Sequence, residues 1–90
     1  MKASIGVIIP ALNEELRLPA LLAELNELKK ALIEKGWEPE FVVVDDGSTD
    51  GTKKVVEKFG IDYLYQVNQG KGSAVKNGAH HLNTDFLVVL

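Results

Sequence analysis

Two acids in tandem, Asp45 and Asp46, close the apolar run Phe41-Val42-Val43-Val44 and open the turn-rich stretch Gly47-Ser48-Thr49-Asp50-Gly51. A carboxylate at the end of a buried strand can accept a hydrogen bond from the imide N–H of uracil or from N1–H and N2–H of guanine. Desolvation strengthens such a bond and rejects bases that lack the donor. The plainer role is structural, since Asp caps helices and folds Asp-Gly turns. Both roles stay open for Asp45 and Asp50; for Asp46 recognition is the stronger reading. Further on, Gly70-Lys71-Gly72-Ser73 opens a segment of helical period. Free backbone N–H groups and the positive end of a helix dipole would face a ligand there, and Lys71 adds a point charge suited to a diphosphate. Taken alone, a Gly-Lys-Gly run is as compatible with a flexible helix start. A third polar group, Asn13, Glu14 and Glu15, follows Pro10-Ala11-Leu12.

Other chemistries fit less well. Paired acids can hold a metal in phosphate-accepting receiver domains, and Glu14 and Glu15 could supply the acids after the first strand. The phosphoacceptor expected after the third strand is missing, because Asn68-Gln69 stands there. The G-x-x-x-x-G-K-[ST] spacing of a P-loop is absent, as is a G-x-G-x-x-G run after the first strand. His80 and His81 are adjacent and so point to different faces of a helix, which makes them helix-end residues rather than a metal pair. Trp37, Tyr63 and Tyr65 read as packing residues.

The elements that must position these groups alternate regularly. Ile5–Ile9 predicts a buried strand closed by Pro10. Leu18, Leu21, Leu22, Leu25, Leu28 and Leu32 recur at three and four, which predicts a helix from about Leu16 or Pro19 to Lys35, ending near Gly36. Phe41–Val44 predicts a central parallel strand. Val55, Val56 and Phe59 mark a short helix stopped by Gly60, and Tyr63–Val67 a third strand. Ala74, Val75, Gly78, Ala79 and Leu82 mark a third helix, and Phe86–Leu90 a fourth buried strand. The string β-α-β-α-β-α-β predicts an α/β domain with a doubly wound, mainly parallel sheet in the order 3-2-1-4. Ligands of such sheets bind beyond the carboxyl ends of the strands, at the switch between strands 1 and 4. The polar groups above all follow strands, which agrees with that placement.

Ninety residues make at most one small domain, here 1–90, and burial of only about 60% of the unfolded surface leaves a thin stability margin. The net charge of −3 argues against a dedicated nucleic-acid binder, though not against one nucleotide. There is no cysteine, hence no disulfide, thiolate metal site or cysteine nucleophile, and no signal-peptide pattern. Apolar runs reach about five residues, short of the roughly 20 that span a bilayer. The expected location is cytoplasmic.

Val7-Ile8-Ile9-Pro10-Ala11-Leu12-Asn13-Glu14-Glu15, Val42-Val43-Val44-Asp45-Asp46-Gly47-Ser48-Thr49-Asp50-Gly51-Thr52 and Asn68-Gln69-Gly70-Lys71-Gly72-Ser73-Ala74-Val75-Lys76-Asn77-Gly78 together resemble the opening of family-2 glycosyltransferases. The Gly-Lys-Gly form is most similar to the dolichyl- and polyprenyl-phosphate sugar synthases of that family. The resemblance implies the Rossmann-like half of a GT-A fold and a UDP- or GDP-linked sugar donor. Pro10, Ala11 and Glu14 would line the nucleoside pocket, and Asp46 would contact the base. Lys71, with the backbone of Gly70 to Gly72, would lie by the base or diphosphate. Asn13, Asp45 and Gly47 complete the candidate set. It also implies a divalent ion, Mg2+ or Mn2+, held in the whole enzyme by a D-x-D motif after the fourth strand. Leu90 precedes that motif, so the chain is expected to carry only the donor-binding part and to be inactive alone. A membrane lipid acceptor and a homodimer through the sheet edge are further expectations. The alternative is a non-catalytic α/β module that binds a nucleotide or a partner and self-associates.

Overall fold

The computed structural model describes residues 2–90. Its elements run β1 (Ser4–Ala11), α1 (Leu18–Glu34), β2 (Glu38–Asp45), α2 (Thr52–Lys58), β3 (Asp62–Tyr65), α3 (Lys71–Leu82) and β4 (Phe86–Val89). The four strands form one sheet in the order β3-β2-β1-β4, and every neighbouring pair is parallel. The expected alternation and strand order are both present.

Each inner strand is apolar on both faces because helices cover both. On one face Val7, Ile9, Phe41 and Val43 meet Leu18, Leu22 and Leu25 of α1 and Val56 of α2. On the other, Ile8, Val42 and Val44 meet Ala74 and Leu82 of α3. Full burial of Leu18 and Leu22 contributes about 1.5–3 kcal/mol each. The small residues of α3 let it lie close to the sheet: a Cβ at Gly78 would come within 2.7 Å of Ile8 Cγ2.

Three sequence expectations change. β1 does not close at Pro10 but continues to Ala11, with Pro10 in register with Val44. Ile8 accepts a hydrogen bond from Leu90 N–H on the β4 side. Pro10, two residues on, faces the same side beyond the last β1–β4 pair, so its missing N–H interrupts no ladder bond. β3 ends at Tyr65 rather than Val67: Gln66 N–H still reaches Asp45 O at 2.8 Å, but Asn68, at φ 43°, turns the chain away. β4 is not buried. Phe86 to Leu90 are 41–56% exposed, because β4 pairs only with β1 while α3 lies over β1 and β2. The Phe86 ring meets that of Trp37 edge-on, their centroids 5.8 Å apart.

Candidate nucleotide site

The loops after β1, β2 and β3 are tied to one another at the carboxyl edge. Asn13 Oδ1 accepts from Thr49 N–H at 2.9 Å, and Asn13 N–H donates to Ser48 Oγ at 2.8 Å. Glu14 N–H donates to the buried hydroxyl of Thr52, and Glu15 N–H to Asp50. Asp50 also caps the start of α2 through Thr52 N–H and hydroxyl, at 3.0 and 2.5 Å. The Thr52 hydroxyl bond is the main reason its carboxyl lies below the usual carboxylate range.

Asp45 and Asp46 have separate surroundings. Asp45 is 1% exposed; it accepts from Ser48 N–H at 2.8 Å and from the Tyr63 hydroxyl at 2.5 Å. Burial, then the Asp45 bond, raises the Tyr63 phenol well above its ordinary value, so it stays a donor. Asp46 is held instead by the segment that joins β3 to α3. Its Oδ1 accepts from Gln66 Nε2 at 2.9 Å and Gln69 N–H at 2.7 Å, and its Oδ2 from Gly70 N–H at 3.0 Å. The Gln66 bond, then the Gln69 bond, hold the Asp46 carboxyl below the usual range, so it is an acceptor at neutral pH. Gly70, at φ 89°, lets the loop bend into α3, a conformation that side chains other than glycine's rarely adopt. Nothing lies within 4 Å of where a Cβ of Gly70 or Gly72 would stand, so a ligand can approach that backbone.

A cleft of about 430 Å³ opens between the ends of β1 and β4, lined by Pro10, Ala11, Leu12, Arg17, Asp46, Lys71, Ala74 and Leu90. It gathers four of the expected site residues, Pro10, Ala11, Asp46 and Lys71, at the switch between β1 and β4. The others lie elsewhere. Asn13 and Glu14 line a separate cleft of about 300 Å³ with Glu15, Leu16 and Asp50. Asp45 lines a third, of about 650 Å³, with Lys53, Lys54, Tyr63 and Tyr65. Gly47 packs against Asn68, and Gly70 and Gly72 shape the loop that carries Lys71. The sequence reading missed Arg17, which pairs with Glu14 and lines both the 430 Å³ and the 300 Å³ clefts. It also missed Gln66, read as a strand residue but buried against Asp46. A lone arginine before an apolar helix carried a faint signal, and the glutamine none. Tyr63 and Tyr65 are more than packing residues, since Tyr63 holds Asp45 and Tyr65 is half exposed in its cleft. His81 pairs with Asp62 at 3.0 Å.

Sheet order, helix placement and a cleft at the β1–β4 switch define a doubly wound α/β domain of the GT-A kind. The chain belongs to glycosyl transferase family 2, whose model matches residues 6–90. It is 40% identical to a dolichyl-phosphate beta-glucosyltransferase of Trichomonas vaginalis, over 96% of this chain and 29% of that protein. It is 38% identical to the Homo sapiens dolichyl-phosphate beta-glucosyltransferase, over 82% of this chain and 26% of that one. Among solved structures it resembles glucosyl-3-phosphoglycerate synthase of Mycobacterium tuberculosis in complex with Mg2+ and UDP. That match has a TM-score of 0.79 and 27% identity, and it covers 98% of this chain and 32% of that one. A complex of the same synthase with Mn2+, UDP and glucosyl-3-phosphoglycerate matches at a TM-score of 0.78. The chain therefore spans about a third or less of the length of these relatives.

A divalent ion does not fit the acids described here. Among the described residues no three His, Asp or Glu side chains converge on a common point.

Proposed function

We propose that this chain supplies the donor-nucleotide site of a glycosyltransferase that moves a sugar from UDP, in preference to GDP, to a polyprenyl phosphate. The observation that carries this reading is the occupancy of Asp46. Oδ1 takes two donors and Oδ2 one, so an ionised carboxylate with about four acceptor positions keeps one for a ligand. A single acceptor suits the lone imide N–H of uracil better than the two adjacent donors of guanine. Pro10 and Ala11 would flank the base, while Lys71 and Arg17 would offset the charge of the diphosphate. UDP in the matched synthase and dolichyl phosphate in the names of the curated relatives support the donor and acceptor classes.

Mn2+ and Mg2+ in the matched synthase support a divalent ion in the whole enzyme, with ligands other than the acids described above. The 90 residues alone are then expected to bind UDP and transfer no sugar. Titration with UDP, GDP and ADP by calorimetry, repeated on Asp46→Ala, tests the site. UDP should bind best, and the variant should lose about tenfold or more in affinity. A variant that binds UDP as well as the parent removes Asp46 from base recognition.

One observation favours a second reading, a self-associating module. The free edge of β4 is apolar from Phe86 to Leu90 and carries no charge or proline to discourage pairing with a second copy.

A further inference from the structure

Where the chain leaves β3, the Gln66 side chain turns between the end of β2 and α3 and is 5% exposed. Its Nε2 donates to Asp46 Oδ1 at 2.9 Å and lies 3.4 Å from Gly70 O. Its Oε1 accepts from Asn77 Nδ2, in the middle of α3, at 2.5 Å. The ionised Asp46 can only accept, so the nitrogen of the amide must face it and the oxygen must face Asn77. One neutral side chain thus joins the end of β2, the loop before α3 and the second turn of α3. Gly70 O is also the first acceptor of that helix, taking Ala74 N–H at 3.1 Å. Without Gln66, Asp46 would keep two backbone donors but lose the side-chain bond that fixes Oδ1. The loop carrying Lys71 would lose a lateral tether as well.

We propose that Gln66 is the positioning residue of the nucleotide site, aiming Asp46 Oδ2 at the base and holding Lys71 in place through Gly70 and Asn77. This rests on the nucleotide reading above. No contact between Gln66 and ligand is involved; it acts through Asp46 and the loop.

Three forms of the 90-residue chain test it: the parent, Gln66→Leu and Asn77→Ala. Asn77 is exposed on α3, so its variant removes the outer partner without disturbing the core. The measurements are UDP affinity, the Asp46 carboxyl titration followed by NMR, and hydrogen exchange at the Gln69 and Gly70 amides. Gln66→Leu should weaken UDP about tenfold, move the Asp46 midpoint up toward an ordinary carboxylate, and speed exchange at both amides. Asn77→Ala should move all three the same way by less, with the thermal midpoint near the parent's. A folded Gln66→Leu with parental UDP affinity and Asp46 midpoint overturns the proposal and leaves the nucleotide site standing. If Gln66→Leu does not fold, Asn77→Ala decides, and parental values there overturn the proposal. If the parent itself fails to bind UDP, the nucleotide reading falls separately. The Asp46 midpoints and exchange rates then decide whether Gln66 holds that carboxylate at all.

Discussion

Tyr63 and Asp45 hold each other beneath the turn that follows β2. The buried carboxylate has one backbone donor and one phenolic donor, and removing the phenol leaves an oxygen short of a partner in a site water reaches poorly. Tyr63→Phe should cost about 1–3 kcal/mol, seen in thermal unfolding as a fall of roughly 4–8 °C per kcal/mol. The pH dependence follows from the directions of the shifts. Asp46, Asp50 and Asp85 lie below their ordinary 3.8 when folded, the first two chiefly through side-chain bonds to Gln66 and Thr52, and Asp85 through Ser4 N–H. A carboxyl depressed on folding contributes stability that is complete above its unfolded value and lost as pH falls through its folded value. Unfolding followed from pH 7 to pH 2 should therefore show a flat plateau down to about pH 5 and a loss below pH 4. The raised Tyr63 acts in the opposite sense, adding stability below pH 10 that is lost as the pH rises further.

At the scale of elements, α3 sets the geometry of the site at both ends. Its first residue carries Lys71, its middle carries Asn77, and its close seat on β1 depends on Gly78. Gly78→Ala would push a methyl into Ile8, and overpacking of this kind costs about 1–3 kcal/mol. Because the helix must then lift from the sheet, amide shifts in the 69–72 loop should move along with the thermal midpoint. A parental loop spectrum would show that the loop is positioned independently of the helix seat. The opposite edge of the sheet has its own clamp, Asp85 accepting from Ser4 N–H and hydroxyl at 2.9 and 3.1 Å while Ser4 Oγ accepts from Asp85 N–H. It joins the starts of β1 and β4 far from the cleft.

At the scale of the whole molecule, the asymmetry between the two sheet edges matters most. β3 begins with the charged Asp62 and runs on into Gln66, whereas β4 and the Leu90 that follows it present five consecutive apolar residues on an unpaired edge. Such an edge invites pairing with a second copy. Light scattering across a concentration series should show association of the 90-residue chain, and Val88→Lys should abolish it by placing a charge on the strand. A monomer at all concentrations would remove the self-association reading and leave the nucleotide site untouched.

The order of elements, the parallel sheet and its two-sided core were legible in the sequence, because leucines at helical spacing and the Phe41–Val44 run each have one favourable burial. The polar character of the carboxyl edge was legible too, since turn, capping and charged residues gather after strands 1, 2 and 3. Of the residues singled out there, Pro10, Ala11, Asp46 and Lys71 meet in one cleft. Asn13, Glu14 and Asp45 carried the same local signals, but tertiary structure sent them to neighbouring clefts, where Asn13 and Asp45 join loop to loop. Only the fold could show that, because hydrogen-bond partners 18 to 36 residues apart leave no trace in local spacing. Gln66 makes the point most clearly. A glutamine at the end of a strand has no pattern of its own, and its importance arises only once β2, β3 and α3 converge on its amide. The exposure of β4 was likewise undecidable from five apolar letters, which read the same on a covered strand as on an open edge.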